Sequence, residues 1–389
     1  MSMLSAPLAH AQSGGLYLPE NGGPVNGTAL AGSAAQARNA ETALLNPAGM
    51  TRLEHVEVLV SLMPSYFQFE FDSSSDSTVN GSDGGNQVGF LPAAGLFIAA
   101  PINEHAAVGL SISSPAGLIL DPDDDWVGRT VMSRAQLVAL NIEPSAGVRF
   151  SRHLSAGFGV SIQYLTFEQE LRGPILDSEF SIDGDDWTVG LLASLLWEPL
   201  DTTRFGLRFR SAVNHELSGD LTVTEGRTTG TSFTLPMSLT LSAYHELTEA
   251  VALMMDVGWT DWSAFDYNII SFEESGASIS IPRNFKDTFN VSVGVHIAPA
   301  RNWLFMLGGG YTSTPVDDED RTVDLPADQQ VRGAGGVEYT VNDSWTLGGN
   351  YSFLWLGTND IDQMVILGRV NGSYDAFGHL FGLHVSARL

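Results

Sequence analysis

Carboxylates dominate the side chains that could do chemistry in this 389-residue chain, where 45 Asp and Glu stand against 18 Lys and Arg and the formal net charge is −27. Such a chain repels phosphate groups, which disfavours nucleic acid as a partner. The few cations are the groups able to neutralise a carboxylate ligand in an apolar pocket, where an unpaired charge is costly. The candidates for this role are Arg129, Arg134, Arg172, Arg283 and Lys286. The alternative is that each cation is a rim charge paired with an acidic loop.

Two acidic clusters, at residues 121–125 and 317–320, contain the oxygen ligands that a hard cation such as Ca²⁺ prefers. Neither cluster has the Asp-x-Asp-x-Asp-Gly spacing of a calcium-binding loop. We therefore predict no metal site and interpret both clusters as solvated loops. We predict no cofactor either, since the chain has no Gly-x-x-x-x-Gly-Lys phosphate loop.

Catalytic motifs are also missing from the sequence. It contains neither Gly-x-Ser-x-Gly nor His-Glu-x-x-His, and its nine His residues are scattered. His105, His153 and His245 fall at predicted turns, where surface exposure explains them. The sequence thus predicts that the protein is not an enzyme, and a lipase-like enzyme with a Ser–His pair remains the alternative.

The elements that must position these side chains are β-strands. From Glu54 onward about fourteen stretches alternate apolar and polar residues, and no window has the roughly 18 to 20 apolar residues of a membrane helix. Short turns alternate with long polar connections, so one rim carries tight turns and the other long loops. These turns are at 103–105, 151–153, 199–201, 246–249, 299–301 and 341–343. This asymmetry is typical of an outer-membrane barrel. We predict an all-β transmembrane fold, an antiparallel outer-membrane β-barrel of about 14 strands over residues 54–389.

The residues before the first strand have a different composition. The stretch from Ala29 to Met50 is rich in small residues and closes with Asn46-Pro47-Ala48. Alanine favours helix, and a proline ends it, so we predict a short helix that stops at Pro47. We predict that residues 12–53 form a small helical hatch in the lumen of the barrel. Residues 1–11 have the small-x-small ending of a signal-peptide cleavage site, and we interpret them as the remnant of a signal peptide.

Three stretches together resemble the FadL/TodX family of outer-membrane transporters for long-chain fatty acids and aromatic hydrocarbons. The first is the N-terminal segment that ends in Asn46-Pro47-Ala48. The second, from Ile281 to Ser352, contains Phe-x-Asp-Thr, a Gly-Tyr strand, an acidic loop, a Leu-Pro segment and another Gly-rich strand. The third, Thr260 to Phe265, is similar to the aromatic Trp-Ser-x-Phe element of the family.

The resemblance implies a route for a hydrophobic substrate. Such a molecule is captured among the outer loops, enters an apolar pocket as the hatch moves, and leaves sideways through the wall at a kinked strand. Uptake is passive. We assign the capture groove to Leu118, Ile119 and Leu120, and the hatch turn to Asn46, Pro47 and Ala48. The kink is assigned to Ser114, Pro115 and Gly117, because Pro and Gly break ladder hydrogen bonds.

The predicted location is the bacterial outer membrane, and the predicted partners follow from it. They are hydrophobic small molecules, outer-membrane lipid and lipopolysaccharide, and the machinery that assembles outer-membrane barrels. The chain ends in Leu389, whereas barrels of this kind usually end in an aromatic residue that this machinery reads. An aromatic-hydrocarbon channel of the same fold, a structural or adhesion barrel, a water-filled porin and the lipase-like enzyme remain alternative functions.

Overall fold

The computed structural model describes residues 20–115, 117–173, 179–222, 227–265, 267–272 and 277–389. The predicted signal-peptide remnant, residues 1–11, and the first part of the predicted hatch, residues 12–19, lie outside these ranges. Within them no helix is long and apolar enough to cross a membrane.

The described residues form nineteen β-strands. They are β1 (Glu57–Ser73), β2 (Gly89–Asn103), β3 (Ala106–Ser113), β4 (Gly117–Leu120), β5 (Arg134–Ser151), β6 (Leu154–Arg172), β7 (Glu179–Leu200), β8 (Thr203–Arg210), β9 (Val213–Thr222), β10 (Arg227–Leu235), β11 (Ser238–Thr248), β12 (Val251–Thr260), β13 (Tyr267–Phe272), β14 (Ala277–Pro282), β15 (Thr288–Ala300), β16 (Trp303–Thr312), β17 (Gln330–Asn342), β18 (Trp345–Val365) and β19 (Gly368–Arg388).

These strands form one antiparallel sheet that closes on itself, because β1 pairs with both β2 and β19. Five wall strands are interrupted and consist of two segments each: β3 with β4, β8 with β9, β10 with β11, β12 with β13, and β14 with β15. The wall therefore has 14 strands, which confirms the predicted barrel.

The alternation of side chains separates the two faces of the wall. In β12, Leu253, Met255 and Val257 point outward and are 46%, 43% and 44% exposed. The residues between them, Met254 and Asp256, point inward and are buried. An apolar outer face and a more polar inner face are what a strand needs when hydrocarbon surrounds the barrel.

Tight turns lie at one rim, as predicted, at residues 104–105, 152–153, 201–202, 249–250, 301–302 and 343–344. The hairpin of β18 and β19 is longer than the apolar alternation predicts, because that alternation ends at Leu354 and resumes at Phe377. Polar residues interrupt the apolar alternation in between, although the ladder continues. Asp362 and Arg369, for example, form an ion pair across this hairpin at 2.6 Å.

The N-terminal segment, which we define as residues 20–53, contains little regular helix. An α-helix, α1 (Thr42–Leu45), is flanked by 3₁₀ helices at Pro24–Thr28 and Pro47–Arg52. The predicted helix is thus limited to four residues, and it ends before Pro47 as expected. Alanine-rich backbone N-terminal to it forms turns with left-handed residues, which are Ala29, Leu30 and Ala37. Contacts with the wall override the helix propensity of alanine here.

Two clusters of buried apolar residues join the long loops to the strand ends on the rim opposite the tight turns. One contains Trp126, Phe71 and Tyr374, and the other contains Trp262 and Phe265. Their aromatic rings pack edge-on or tilted, with Phe71 and Trp126 centroids 6.3 Å apart. The long loops are therefore packed structures at this rim.

Candidate functional site

Asp256 of β12 anchors the N-terminal segment to the wall with three hydrogen bonds. Its carboxylate accepts hydrogen bonds from the backbone N–H groups of Gly32, at 2.7 Å, and Ser33, at 3.1 Å. The Ser33 hydroxyl donates a third bond at 2.5 Å. Asp256 is only 2% exposed, and hydrogen bonds to an ionised acceptor are about twice as strong as neutral ones.

The Asn46-Pro47-Ala48 turn forms a second anchor. Asn46 is extended, with φ −164°, as expected for a residue before proline, and its side-chain oxygen accepts a bond from the Ala48 N–H at 3.1 Å. Its amide group donates to the Leu195 carbonyl of β7 at 3.1 Å, and the Ala48 N–H also donates to the Ser194 hydroxyl at 3.2 Å. The turn is thus bonded both to itself and to the wall.

Two glycines of the wall make room for this turn. A Cβ atom on Gly147 of β5 would lie 2.3 Å from the Pro47 carbonyl oxygen, and one on Gly157 of β6 would lie 2.2 Å from the Ala48 nitrogen. Both neighbouring atoms are backbone atoms that cannot rotate away. Any larger residue at these two positions would therefore displace the turn.

Arginines on β8 hold backbone carbonyls of the N-terminal segment. Arg204 donates to the carbonyls of Ala35 and Gln36 at 3.0 and 3.1 Å, and Arg210 donates to the Leu44 carbonyl at 2.8 Å. The Leu44 carbonyl belongs to the C-terminal turn of α1, where cations interact favourably with the helix dipole. These arginines were not among the sequence candidates. The sequence signal that could have identified them is their even spacing within one strand, which places their side chains on the same face of the wall.

A cavity of about 130 Å³ lies between the N-terminal segment and the wall. Apolar residues of both line it: Leu30, Leu44 and Leu45 from the segment, and Leu191, Val213 and Leu235 from the wall. Polar residues also line it, including Asn141, Gln163, Arg208, Arg210, Asp256 and several Ser and Thr residues. Small-molecule sites usually combine apolar surface with polar groups that orient the ligand.

One of the two cations at this cavity, Arg210, already has a carboxylate partner in the chain. Arg210 forms a bidentate pair with Glu143 of β5, at 2.7 and 3.1 Å, and Glu143 is fully buried. Arg208 donates to the Thr240 hydroxyl at 3.2 Å and lines the cavity beside Asp256. A ligand carboxylate entering the cavity would compete with these internal acceptors.

Arg283, a sequence candidate, lies at a second and smaller cavity of about 50 Å³. Its guanidinium forms a bidentate pair with Asp324, at 3.0 and 2.7 Å, and donates to the Thr322 hydroxyl at 2.8 Å. Burial opposes ionisation of Asp324, yet the Arg283 guanidinium holds the pKa of that carboxyl below its usual value. Arg283 therefore ties a strand end to the loop at 313–329.

The other four candidate cations lie in or beside the long loops. Lys286 is half-exposed and pairs with Asp317, and Arg172 pairs with Asp124 at 2.7 Å. Arg129 donates to the Trp126 carbonyl of its own loop and to the Asn80 carbonyl of the loop between β1 and β2. Arg134 lies opposite Glu170 in the ladder of β5 and β6. None of these four lines the 130 Å³ cavity. Their role as ligand contacts stays a prediction.

The predicted capture residues lie in a strand. Leu118, Ile119 and Leu120 belong to β4, which pairs with β5. Leu118 lines the 50 Å³ cavity together with Phe167, Phe233 and other apolar residues. Leu120 is fully buried in the cluster around Trp126. Only Leu118 thus faces a cavity among these three, and their capture role stays a prediction.

The predicted kink coincides with a break in the wall. The ladder between β2 and β3 ends at the pair Gly95 and Ser113, and β4 begins only at Gly117. The hydroxyl of Ser114 donates to the Ala139 carbonyl of β5 at 2.8 Å, in place of a ladder bond. Ser114 and Pro115 line the 130 Å³ cavity. Cavity and break are therefore adjacent, and the exit role of the break stays a prediction.

The acidic clusters form ion pairs with the chain itself. Asp124 of the first cluster contacts Arg172, while Asp317 and Asp318 of the second contact Lys286 and Arg321. In the part of the chain that the structure describes, no group of three or more His, Asp or Glu is arranged to hold a metal ion. The first cluster thus pairs with the end of β6, and the second pairs with Lys286 and with Arg321 of its own loop.

Replacing Arg283 by Ala is expected to loosen the loop at 313–329, because Asp324 would be left buried without its partner. Breaking such a pair costs roughly 3 to 5 kcal/mol. Limited proteolysis of this loop measures the effect. Lys286→Ala is the matched control, since its pair with Asp317 is exposed and worth about 0 to 1 kcal/mol. Equal protection in the two variants would contradict the structural role of Arg283.

The closed antiparallel wall with its apolar outer face defines the class of protein as a transmembrane β-barrel. Within this class, the chain belongs to the family of outer membrane transport proteins known as OMPP1/FadL/TodX, whose family model matches residues 5–389. The protein is therefore located in the bacterial outer membrane.

Individual relatives agree with this assignment. A long-chain fatty acid transport protein of Escherichia coli is 24% identical over 393 residues, with 88% of this chain and 87% of the relative covered. The crystal structure of a Pseudomonas aeruginosa FadL homologue matches with a TM-score of 0.89 at 19% identity, covering 96% and 99% of the two chains. The Pseudomonas putida toluene transporter TodX matches with a TM-score of 0.67 at 14% identity, covering 90% and 94%.

Proposed function

We propose that this protein carries hydrophobic compounds across the outer membrane by passive diffusion, with long-chain fatty acids or aromatic hydrocarbons as cargo. The observation that carries the proposal is the 130 Å³ cavity, which lies between the N-terminal segment and a break in the wall. The printed names of relatives support it, since they include fatty acid transport proteins and a toluene transporter.

The proposed route begins at the long loops and ends in lipid. Cargo enters among the apolar side chains of the outer loops, where Leu118 is a candidate contact, and passes to the cavity. It then leaves through the break beside Ser114, Pro115 and Gly117. An apolar molecule gains nothing from a water-filled pore, whereas a lateral exit transfers it from an apolar cavity directly into hydrocarbon.

Two features of the cavity bear on the choice between the cargo classes. Its volume of about 130 Å³ is similar to the roughly 150 Å³ of an apolar cavity that holds benzene, so one aromatic ring fits without rearrangement. A fatty acid requires expansion and a cation for its carboxylate, and Arg210 is paired with Glu143. These observations favour aromatic hydrocarbons over fatty acids. A fatty acid would have to displace Glu143 from Arg210.

In this proposal the N-terminal segment is a hatch that closes the lumen. Deleting residues 12–45 removes the Gly32 and Ser33 contacts with Asp256 and should leave the channel ungated or change cargo uptake. Uptake assays and conductance in planar bilayers measure the two effects, with the amount of protein in the outer membrane as the control. Unchanged uptake with no added conductance would count against a hatch.

The experiment that tests the function is uptake of a labelled long-chain fatty acid and of toluene by cells that lack their own transporter, with and without this protein. Uptake of either cargo supports transport, and toluene uptake alone identifies the hydrocarbon class. Ion conductance of the intact protein without uptake would indicate a porin. Absence of both would favour a structural or adhesion barrel.

A further inference from the structure

The wall has another interruption, between β7 and β9. Their ladder runs to the pair Asp185 and Ser218, and pairing of β7 resumes only at Leu192, with Arg210 of β8. No residue pairs join the two strands in between, in a region where every residue is among those described. This is a gap of several residues in the hydrogen-bonded wall, on β7 and β9 rather than on β2 and β3.

One backbone bond remains at the edge of this gap next to β8, from the Ser211 N–H to the Leu191 carbonyl at 2.9 Å. Beyond it, side-chain bonds connect the two strands. The Asp186 carboxylate accepts a bond from the Glu216 N–H at 3.2 Å and contacts Nδ1 of His215 at the same distance. Nε2 of His215 contacts Oε1 of Gln163 at 2.9 Å, and His215 is fully buried. At the edge of the gap next to β8, the Ser211 hydroxyl accepts a bond from the Leu191 N–H at 2.9 Å. Side-chain bonds of this kind open by rotation, without disrupting a ladder.

The cavity of about 130 Å³ reaches the inner side of this gap. Gly190 and Leu191 line it from β7, and Ser211 and Val213 line it from the other strand. Gly190 has no side chain to fill the opening, and a Cβ atom there would meet the Val213 side chain at 2.7 Å. The cavity thus lies against the gap, with Gly190 and the Val213 side chain between them.

The outer side of the gap faces lipid. Val189 and Leu191 point outward and are 64% and 49% exposed, and Trp187 beside them is 56% exposed. The neighbouring wall strand is interrupted at the same height, between β10 and β11, where Pro236 also lines the cavity. A proline there removes one ladder donor.

We propose that the gap between β7 and β9 is a second lateral portal, through which hydrophobic cargo moves between the cavity and the outer-membrane lipid. This inference rests on the proposed transport function. The portal is closed when Asp186, His215 and Gln163 are bonded in a chain, and it opens when that chain breaks. The cavity therefore has two lateral exits, one at the break beside Ser114 and one at the gap between β7 and β9.

Cysteine crosslinks test the proposal cleanly, because the chain contains no Cys. If the register of the pair Asp185 and Ser218 is continued, Val189 lies opposite Asn214. The double variant Val189→Cys and Asn214→Cys therefore allows the edges of the gap to be joined by a disulfide or a short bis-maleimide. Ala94→Cys with Ser114→Cys joins the edges of the break at β2 and β3 in the same way. Leu195→Cys with Leu207→Cys crosslinks an intact ladder pair of β7 and β8 and is the matched control.

Toluene uptake is expected to fall about twofold with either gap crosslinked, to be lost with both, and to be unchanged in the ladder control. A reductant should restore uptake to the disulfide forms. Full uptake with the β7 and β9 edges joined, or complete loss with only the β2 and β3 edges joined, would overturn the second portal.

A second variant covers the case in which the crosslinked protein fails to assemble. Gly190→Val fills the inner mouth of the gap and should also lower uptake about twofold, while Gly333→Val, at a position with no atom within 4 Å of the added Cβ, should not. Equal uptake by both glycine variants would overturn the portal as well. If the unmodified protein takes up neither toluene nor a fatty acid, the proposed function itself fails, which is a separate outcome.

Discussion

Replacing Asp256 by Ala is expected to release the middle of the N-terminal segment from the wall and to make the barrel leaky to ions. The variant loses three hydrogen bonds to a buried carboxylate and leaves two backbone N–H groups, of Gly32 and Ser33, without acceptors. A loss of roughly 3 kcal/mol raises the population of the displaced segment by about two orders of magnitude. Conductance of single proteins in planar bilayers measures this population as open bursts.

Asp362→Ala is the matched control for this prediction. Asp362 also binds two N–H groups, those of Arg369 at 2.6 Å, but the pair is exposed at the outer hairpin and touches no part of the N-terminal segment. Its removal should leave conductance at the level of the unmodified protein. If Asp256→Ala does not raise the conductance of planar bilayers, at equal amounts of folded protein, this carboxylate does not retain the segment.

A single methyl group at Gly157 is expected to push the Asn46-Pro47-Ala48 turn off the wall. In Gly157→Ala the new Cβ would lie 2.2 Å from the Ala48 nitrogen and 2.6 Å from the Pro47 carbonyl carbon, both backbone atoms. Overpacking of this kind costs roughly 1 to 3 kcal/mol, and displacement also breaks the bond from Ala48 to Ser194. Proteolysis of the N-terminal segment should therefore be faster than in the unmodified protein.

Gly333→Ala tests whether that effect is local. Gly333 lies in β17, another wall strand, and a Cβ atom there has no neighbour within 4 Å. The same chemical change should therefore leave the proteolysis rate unaltered. If the two alanine variants are cleaved at the same rate, close approach of the turn to β6 does not hold the segment in place.

Asp256 and Gly157 act on different parts of the N-terminal segment. Asp256 retains residues 32 and 33, whereas Gly157 accommodates the turn that follows α1. If the segment moves as one body, either variant should raise conductance and accelerate cleavage together. If it moves in parts, Gly157→Ala should expose the turn while the contact with Asp256 persists.

The sequence by itself determined the barrel. Period-two alternation and the asymmetry of the two rims are local features, and each follows from a wall that meets hydrocarbon outside and polar groups inside. The extended geometry of Asn46 was likewise predictable, because the clash with the proline ring involves only adjacent residues. The position of the break at Ser114 and Pro115 also follows from residue type, because proline has no N–H group to donate to the ladder.

Only the tertiary structure decided which polar groups meet. Arg210 and Glu143 are far apart in sequence, as are Asp256 and Ser33, and closure of the barrel alone brings them together. The gap between β7 and β9 depends on the register of two strands, which an alternating pattern specifies only to within two residues. The alanine-rich stretch forms turns because of contacts that also depend on the tertiary structure. Its small residues lie close to the wall, and hydrogen bonds donated by wall residues such as Arg204 replace those of a helix.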